Sequence, residues 1–149
     1  MSEKILKTHI YTAVDSARLG KEERNYGYLI MADGHERKRQ GYNLIYGSRQ
    51  RAELTAITQA LERFDTTTPC EIEIHCEDRS IVHHATNDLK DKWQFKGWKN
   101  YRGEEIKDRD LWERLYRRME NKFQKITFTK GKHKYSRFLR EGMKFDFSI

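Results

Sequence analysis

The segment RQRAELTAITQALERF (residues 49–64), the break TTTP (66–69) and the run CEIEIHCED (70–78) decide how this chain folds. In the first, Ala52, Ala56, Ile57, Ala60, Leu61 and Phe64 recur at intervals of three and four. That is the apolar stripe of an amphipathic helix. Pro69, the only proline, ends it. In the third, Cys70, Ile72, Ile74 and Cys76 alternate with polar residues, which predicts a half-buried strand. Glu53 is therefore expected near the start of a helix, and Asp78 just past the end of a strand.

Upstream lie three strand-like runs, THIYTAVD (8–15), RNYGYLIM (24–31) and GYNLIYG (41–47), separated by short polar stretches. Such gaps suit antiparallel neighbours in a meander. Downstream, SIVHHATND (80–88) predicts a helix. Residues 108–123 predict a second, with Leu111, Trp112, Leu115, Met119 and Phe123 on one stripe and Asp108 and Asp110 at its start. KITFT (125–129) predicts a last strand, and residues 135–143 a short helix. The expected order is β-β-β-α-β-α-α-β-α: an α/β fold with a mixed five-stranded sheet flanked by helices, in one domain over residues 1–149.

Composition narrows the partners. The chain has 149 residues, 36% hydrophobic and 36% charged, and 30 basic against 23 acidic side chains leave a net charge of +7. That excess favours a polyanion over a membrane, although a merely solvated basic surface is the plain alternative. Cys70 and Cys76 fall six apart in one strand, ~20 Å along it, too far for a disulfide. They read as small buried side chains in a reducing compartment. No leader-like segment opens the sequence and no apolar run reaches membrane-spanning length, so a cytoplasmic, monomeric protein is expected.

Three carboxylates stand at three element ends: Asp15, Glu53 and Asp78. Taken singly, Asp15 could be a turn residue, Glu53 a surface helix acid and Asp78 a helix cap. If the two strands are neighbours and the helix packs on them, the acids meet at one end of a sheet. Such a cluster repels itself unless cations fill it, and hard divalent metals favour carboxylate oxygens. Glu77 is expected on the opposite face by strand alternation. His83 and His84, adjacent on a helix, point in different directions and read as structural. No Walker-type loop, nucleophile elbow or CxxC pair occurs, which leaves triphosphatase, esterase and zinc readings without support.

Several strings add to this order. They are GSRQRAEL (47–54), EDRSIV (77–82), KGWK (96–99) followed by DLWERL (110–115), and FTKG (128–131). Together they resemble the type 1 ribonuclease H family, and its bacterial members with a basic protrusion, from about Thr8 to Gly131. The resemblance implies an endoribonuclease that hydrolyses the RNA strand of RNA–DNA hybrids with two Mg2+ ions, Mn2+ being the alternative. Asp15, Glu53 and Asp78 match three of the family's four metal-binding acids. For the fourth, register puts Arg140 in place, with Glu141 next to it and Asp146 further on, and Glu141 is the residue expected to serve. His133 resembles the family's mobile histidine, and Asp15-Ser16 departs from its Asp-Gly.

The resemblance also implies nucleic-acid contacts. Arg49, Gln50 and Ser80 fall where members meet the minor groove and its 2′-hydroxyls. The stretch LKDKWQFKGWKNYR (89–102) interleaves five basic residues with Trp93, Phe95, Trp98 and Tyr101. Lys92, Lys96, Trp98 and Lys99 are expected to bind there, with Trp93 anchoring the protrusion. With the fourth acid displaced, the alternative is a catalytically weakened module that binds hybrid or structured nucleic acid without efficient cleavage.

Overall fold

The computed structural model describes residues 6–15, 23–33 and 38–146, with no description of the Lys38, Lys90, Asp91, Phe145 and Asp146 side chains. Ser16 lies outside the described residues. Five strands, β1 (Leu6–Val14), β2 (Glu23–Ala32), β3 (Lys38–Tyr46), β4 (Cys70–Cys76) and β5 (Gln124–Lys130), form one sheet in the order β3-β2-β1-β4-β5. The first three pair antiparallel, as their short connections dictate. β4 runs parallel to β1, with Tyr11 opposite His75, and β5 runs parallel to β4. A parallel partner needs a crossover, and α1 (Arg49–Leu61) supplies the one before β4. The carboxyl ends of β1 and β4 therefore lie at the same edge.

One sheet face carries α1, α2 (Arg79–Asn87) and α3 (Arg109–Met119) over the main core. Leu54, Ile57, Leu61, Ile72, Ile74, Ile81, Trp112 and Leu115 are fully or almost fully buried there. Cys70 and Cys76 are buried, free thiols on this face. The other face carries α4 (Ser136–Asp146), whose Leu139 and Met143 pack on Tyr11, Ala13 and Leu29. Gly142 lets α4 close on the sheet: a Cβ at that position would stand 2.2 Å from the Tyr42 Oη.

The helices start where their caps are. Ser48 accepts the Arg51 N–H at 3.1 Å to open α1. Asp78 accepts the N–H groups of Ser80 and Ile81 at 2.9 and 3.3 Å to open α2. Between α2 and α3, a single π-helical turn over Leu89–Trp93 was not expected from the sequence. The second long helix is also shorter than expected. It ends at Met119, and Phe123 is 56% exposed beyond its stripe, since the Asn121 carboxamide accepts the Phe123 N–H and turns the chain into β5. Among the described residues no helix is long and apolar enough to cross a membrane.

Candidate active site

The three element-end acids all fall at the carboxyl edge of β1 and β4. Glu53 is fully buried, which excludes the surface-acid reading. Its Oε1 accepts the Thr12 hydroxyl at 3.2 Å and the Glu77 backbone N–H at 3.0 Å. Its Oε2 is buried without a hydrogen-bond partner. Burial pushes the carboxyl up to about 7, and the negative charges of Asp78 and Glu77 add to this, against relief from Cys76 and the Glu77 N–H. Asp15 follows β1, where its N–H meets the Asn25 carbonyl at 3.0 Å and its Oδ2 accepts from the Asn25 carboxamide at 3.0 Å. Its Oδ1 is buried and unpartnered too. Asp78 caps α2 through Oδ1, so the cap reading and a ligand reading coexist, with Oδ2 outside the cap.

This chemistry fits a hard divalent cation. Two buried carboxylate oxygens lack partners in a site of like charge, and a cation would satisfy both deficits. Among the described residues, the two groups of three donors lying within 4.8 Å of one another are elsewhere: His9 with Glu73 and His75, and His83 with His84 and Asp88.

Behind the acids, on the α4 face, the arrangement differs from the sequence expectation. Arg140, not an acid, reaches the site's edge: its Nη1 donates to Glu77 Oε2 at 3.1 Å, and its Nη2 to Glu77 Oε1. Arg49 Nη2 lies 3.9 Å from the same carboxylate. The Glu77 side chain is 4% exposed, and although burial works to raise its carboxyl, bonds from Arg140 and Ser136 with the Arg140 charge hold it below the ordinary carboxylate range. Glu141 does not join the trio. One residue further round the helix, it lies on the exposed side, where it accepts from Arg137 Nε at 3.1 Å. The Asp146 side chain lies outside the described residues.

His133 is also placed differently. Its Nε2 meets the Thr12 carbonyl at 2.8 Å and its Nδ1 accepts the Tyr135 N–H at 3.2 Å, so both ring nitrogens are engaged. The ring packs on Tyr11 at 5.1 Å, and burial lowers its basicity. This engaged placement contrasts with the mobile histidine that the resemblance implies.

The expected nucleic-acid residues divide. Arg49 is half exposed, and Ser80 is exposed on the first turn of α2. Gln50 donates to Asp108 at 3.4 Å, beside the ion pairs of Arg51 with Asp108 and Asp110. Lys96 and Lys99 are exposed, and Lys92 is exposed while paired with Asp88 at 3.4 Å. Trp98 instead lies partly buried on the core, its ring 5.9 Å from Tyr116. Trp93 packs on Trp112 at 5.0 Å, as an anchor should. The exposed rings of this stretch are Phe95 and Tyr101, 79% and 86% exposed, with the Arg102 guanidinium 5.4 Å from the Tyr101 ring centroid. Sequence reading named both rings without choosing them as binding residues, and it missed Asn25 and Thr12. Strand alternation alone put Thr12 on the face of Ile10 and Val14, facing Glu53.

The sequence profile of the RNase H family matches residues 7–136. The chain belongs to the ribonuclease H family. It is 30% identical to a ribonuclease H of Acetivibrio thermocellus over 112 residues, 74% of this chain and 73% of that one. It is 36% identical to a ribonuclease H of Pelobacter propionicus over 90 residues, 60% of this chain and 53% of that one. The match thus spans about half the length of the latter relative. The fold agrees with that of LC9-RNase H1, a type 1 RNase H with the type 2 active-site motif (TM-score 0.70, 16% identity, 95% of this chain and 72% of that one). It also agrees with LC11-RNase H1, solved in complex with RNA/DNA hybrid (TM-score 0.63, 18% identity, 90% and 91% covered). The family and the mixed five-stranded sheet expected from the sequence are both borne out.

Proposed function

We propose that this ribonuclease H-family protein cleaves the RNA strand of RNA–DNA hybrids with divalent metal ions held by Asp15, Glu53 and Asp78. The observation that carries it is the pair of buried, unpartnered carboxylate oxygens, Asp15 Oδ1 and Glu53 Oε2, at the end of the family's fold. Ions held there would supply Lewis acidity to the scissile phosphate and a water nucleophile at neutral pH. The chain's own part is to orient the donors. Thr12 and the Glu77 N–H hold one oxygen of Glu53 and leave the other buried and unpartnered. Asn25 does the same for Asp15. Arg49, with Lys92, Lys96 and Lys99, offers cations to the phosphates, and Phe95 and Tyr101 offer flat faces to sugars or bases.

One observation favours a second reading, binding with weakened cleavage: Arg140, which sequence register aligns with the family's fourth acid, is committed to Glu77. A labelled hybrid incubated with Mg2+ or Mn2+ separates the two. Cleavage lost in Asp15→Asn and Asp78→Asn supports the first. Cleavage surviving both substitutions refutes the site, and tight binding without cleavage by the intact protein supports the second. Replacing Lys92, Lys96 and Lys99 should weaken hybrid binding and flatten its salt dependence. An unchanged slope would remove the protrusion from the interface.

A further inference from the structure

A second set of metal-type donors lies on the α4 face of the sheet, away from the acid trio. In the parallel ladder His9 of β1 sits opposite Glu73 of β4, and His75 follows two residues on, so all three side chains share one face. His9 Nδ1 and His75 Nε2 are 3.0 Å apart. Glu73 Oε2 is 3.3 Å from the first and 3.4 Å from the second. Three donor atoms thus form a nearly equilateral triangle. A tetrahedral ion with bonds of ~2.0–2.1 Å has donor–donor edges of ~3.3–3.4 Å, and an octahedral one about 2.9 Å. The triangle fits one face of either polyhedron.

The ligands are oriented from behind, as metal ligands are. Asp33 Oδ1 lies 2.9 Å from His9 Nε2, so that nitrogen carries the proton and Nδ1 presents its lone pair to the centre. Thr129 of β5 donates to Glu73 Oε1 at 2.8 Å, which leaves Oε2 for the centre. Tyr11 stacks on the His75 ring with centroids 4.4 Å apart and fixes its plane. The donors are 16–24% exposed, open enough for an ion and a water to enter. Lys7 Nζ, 3.7 Å from Glu73 Oε2, is 46% exposed and free to swing into solvent.

The other compact group, His83, His84 and Asp88, lacks this support. His83 is exposed with Nδ1 against the Asn87 carboxamide at 3.1 Å, and His84 Nδ1 is already on Asp88 at 2.7 Å.

We propose that His9, Glu73 and His75 form a binding site for a borderline transition-metal ion of the Zn2+ class, with solvent completing its coordination. Two imidazoles and one carboxylate suit Zn2+, Co2+ or Ni2+ and discriminate against Mg2+. The site joins β1 to β4, with Asp33 after β2 and Thr129 of β5 behind it. Its effect is to clamp the centre of the sheet rather than to take part in phosphate chemistry.

The test uses untagged, EDTA-stripped protein in excess Mg2+, titrated with ZnCl2 by calorimetry and with CoCl2 by visible absorption. One equivalent should bind, with a Co2+ d–d band, and a hundredfold excess over Kd should raise Tm by roughly 5 °C or more. His9→Ala and His75→Ala should each weaken binding at least tenfold and remove the Tm rise. Asp15→Asn and Asp78→Asn should leave both intact, which separates this site from the acid trio. In the wild-type protein, Zn2+ should shift the ring signals of His9 and His75, a readout that does not depend on any variant folding. Binding that survives both histidine substitutions, shifts confined to other histidines, or no binding by intact protein would overturn the proposal.

Discussion

Two glutamates at the same edge of the sheet, Glu53 and Glu77, show how differently one residue type behaves on its two faces. Both side chains are almost wholly buried. Glu53, under α1, has neutral donors on one oxygen, none on the other, and acids nearby, and its carboxyl rises to about 7. Glu77, under α4, meets two guanidinium groups and falls below the ordinary range despite its burial. Burial alone does not set the charge state; the sign of the neighbours does. One carboxylate is left with a deficit that a cation can fill, and the other is already neutralised by the protein.

The contrast can be broken most sharply at Glu53. Glu53→Gln keeps the shape but removes the charge, and hybrid cleavage should fall by about a hundredfold or more, roughly 3 kcal/mol of transition-state stabilisation. Cleavage at the wild-type rate would show that Glu53 is a structural acid. Protein in EDTA offers a second test. The folded state holds the Glu53 proton to about pH 7, while the unfolded chain releases it near 4.5. Stability should therefore fall as pH rises across that window, by up to about 3 kcal/mol, and stay low above it. Thermal melts of Glu53→Gln should lack this slope, and Mg2+ should reduce it in the wild type.

Glu77 runs the other way. Its contribution is present above its unfolded value and is lost as pH falls through the lower folded one. Arg140→Ala should cost about 2 kcal/mol by denaturant melts, because Arg49 remains near the stranded carboxylate. A neutral result would mean that Glu77 relaxes into solvent. The smallest change is expected at Glu141, whose exposed pairing with Arg137 is worth about 0.3–0.5 kcal/mol. Glu141→Gln should leave both stability and cleavage nearly unchanged, and a large loss of cleavage would return it to the site.

Much of this could be read from periodicity. The switch from a repeat of two to one of three and four, and back again at Pro69, located the strands and helices around Glu53 and Asp78. The parallel pairing of β1 with β4 then follows from the crossover helix. The helix end at Met119 was not legible, because the apolar spacing runs on to Phe123 while the Asn121 turn stops the helix. Nor was Glu141's direction: on a helix neighbouring residues diverge by ~100°, and only the seating of α4 through Gly142 selects Arg140 to face inward. His133 likewise looked free until its ring was seen bonded on both nitrogens.

By itself, then, the sequence determined the element order, the family resemblance and the three acids, because local periodicity and capping chemistry act over a few residues. Only the tertiary structure decided which of those acids are buried without partners, and that Arg140 turns inward to Glu77. It alone brought His9 against His75, 66 residues away. Such pairings depend on strand register and helix seating, which the whole core sets and no local pattern records.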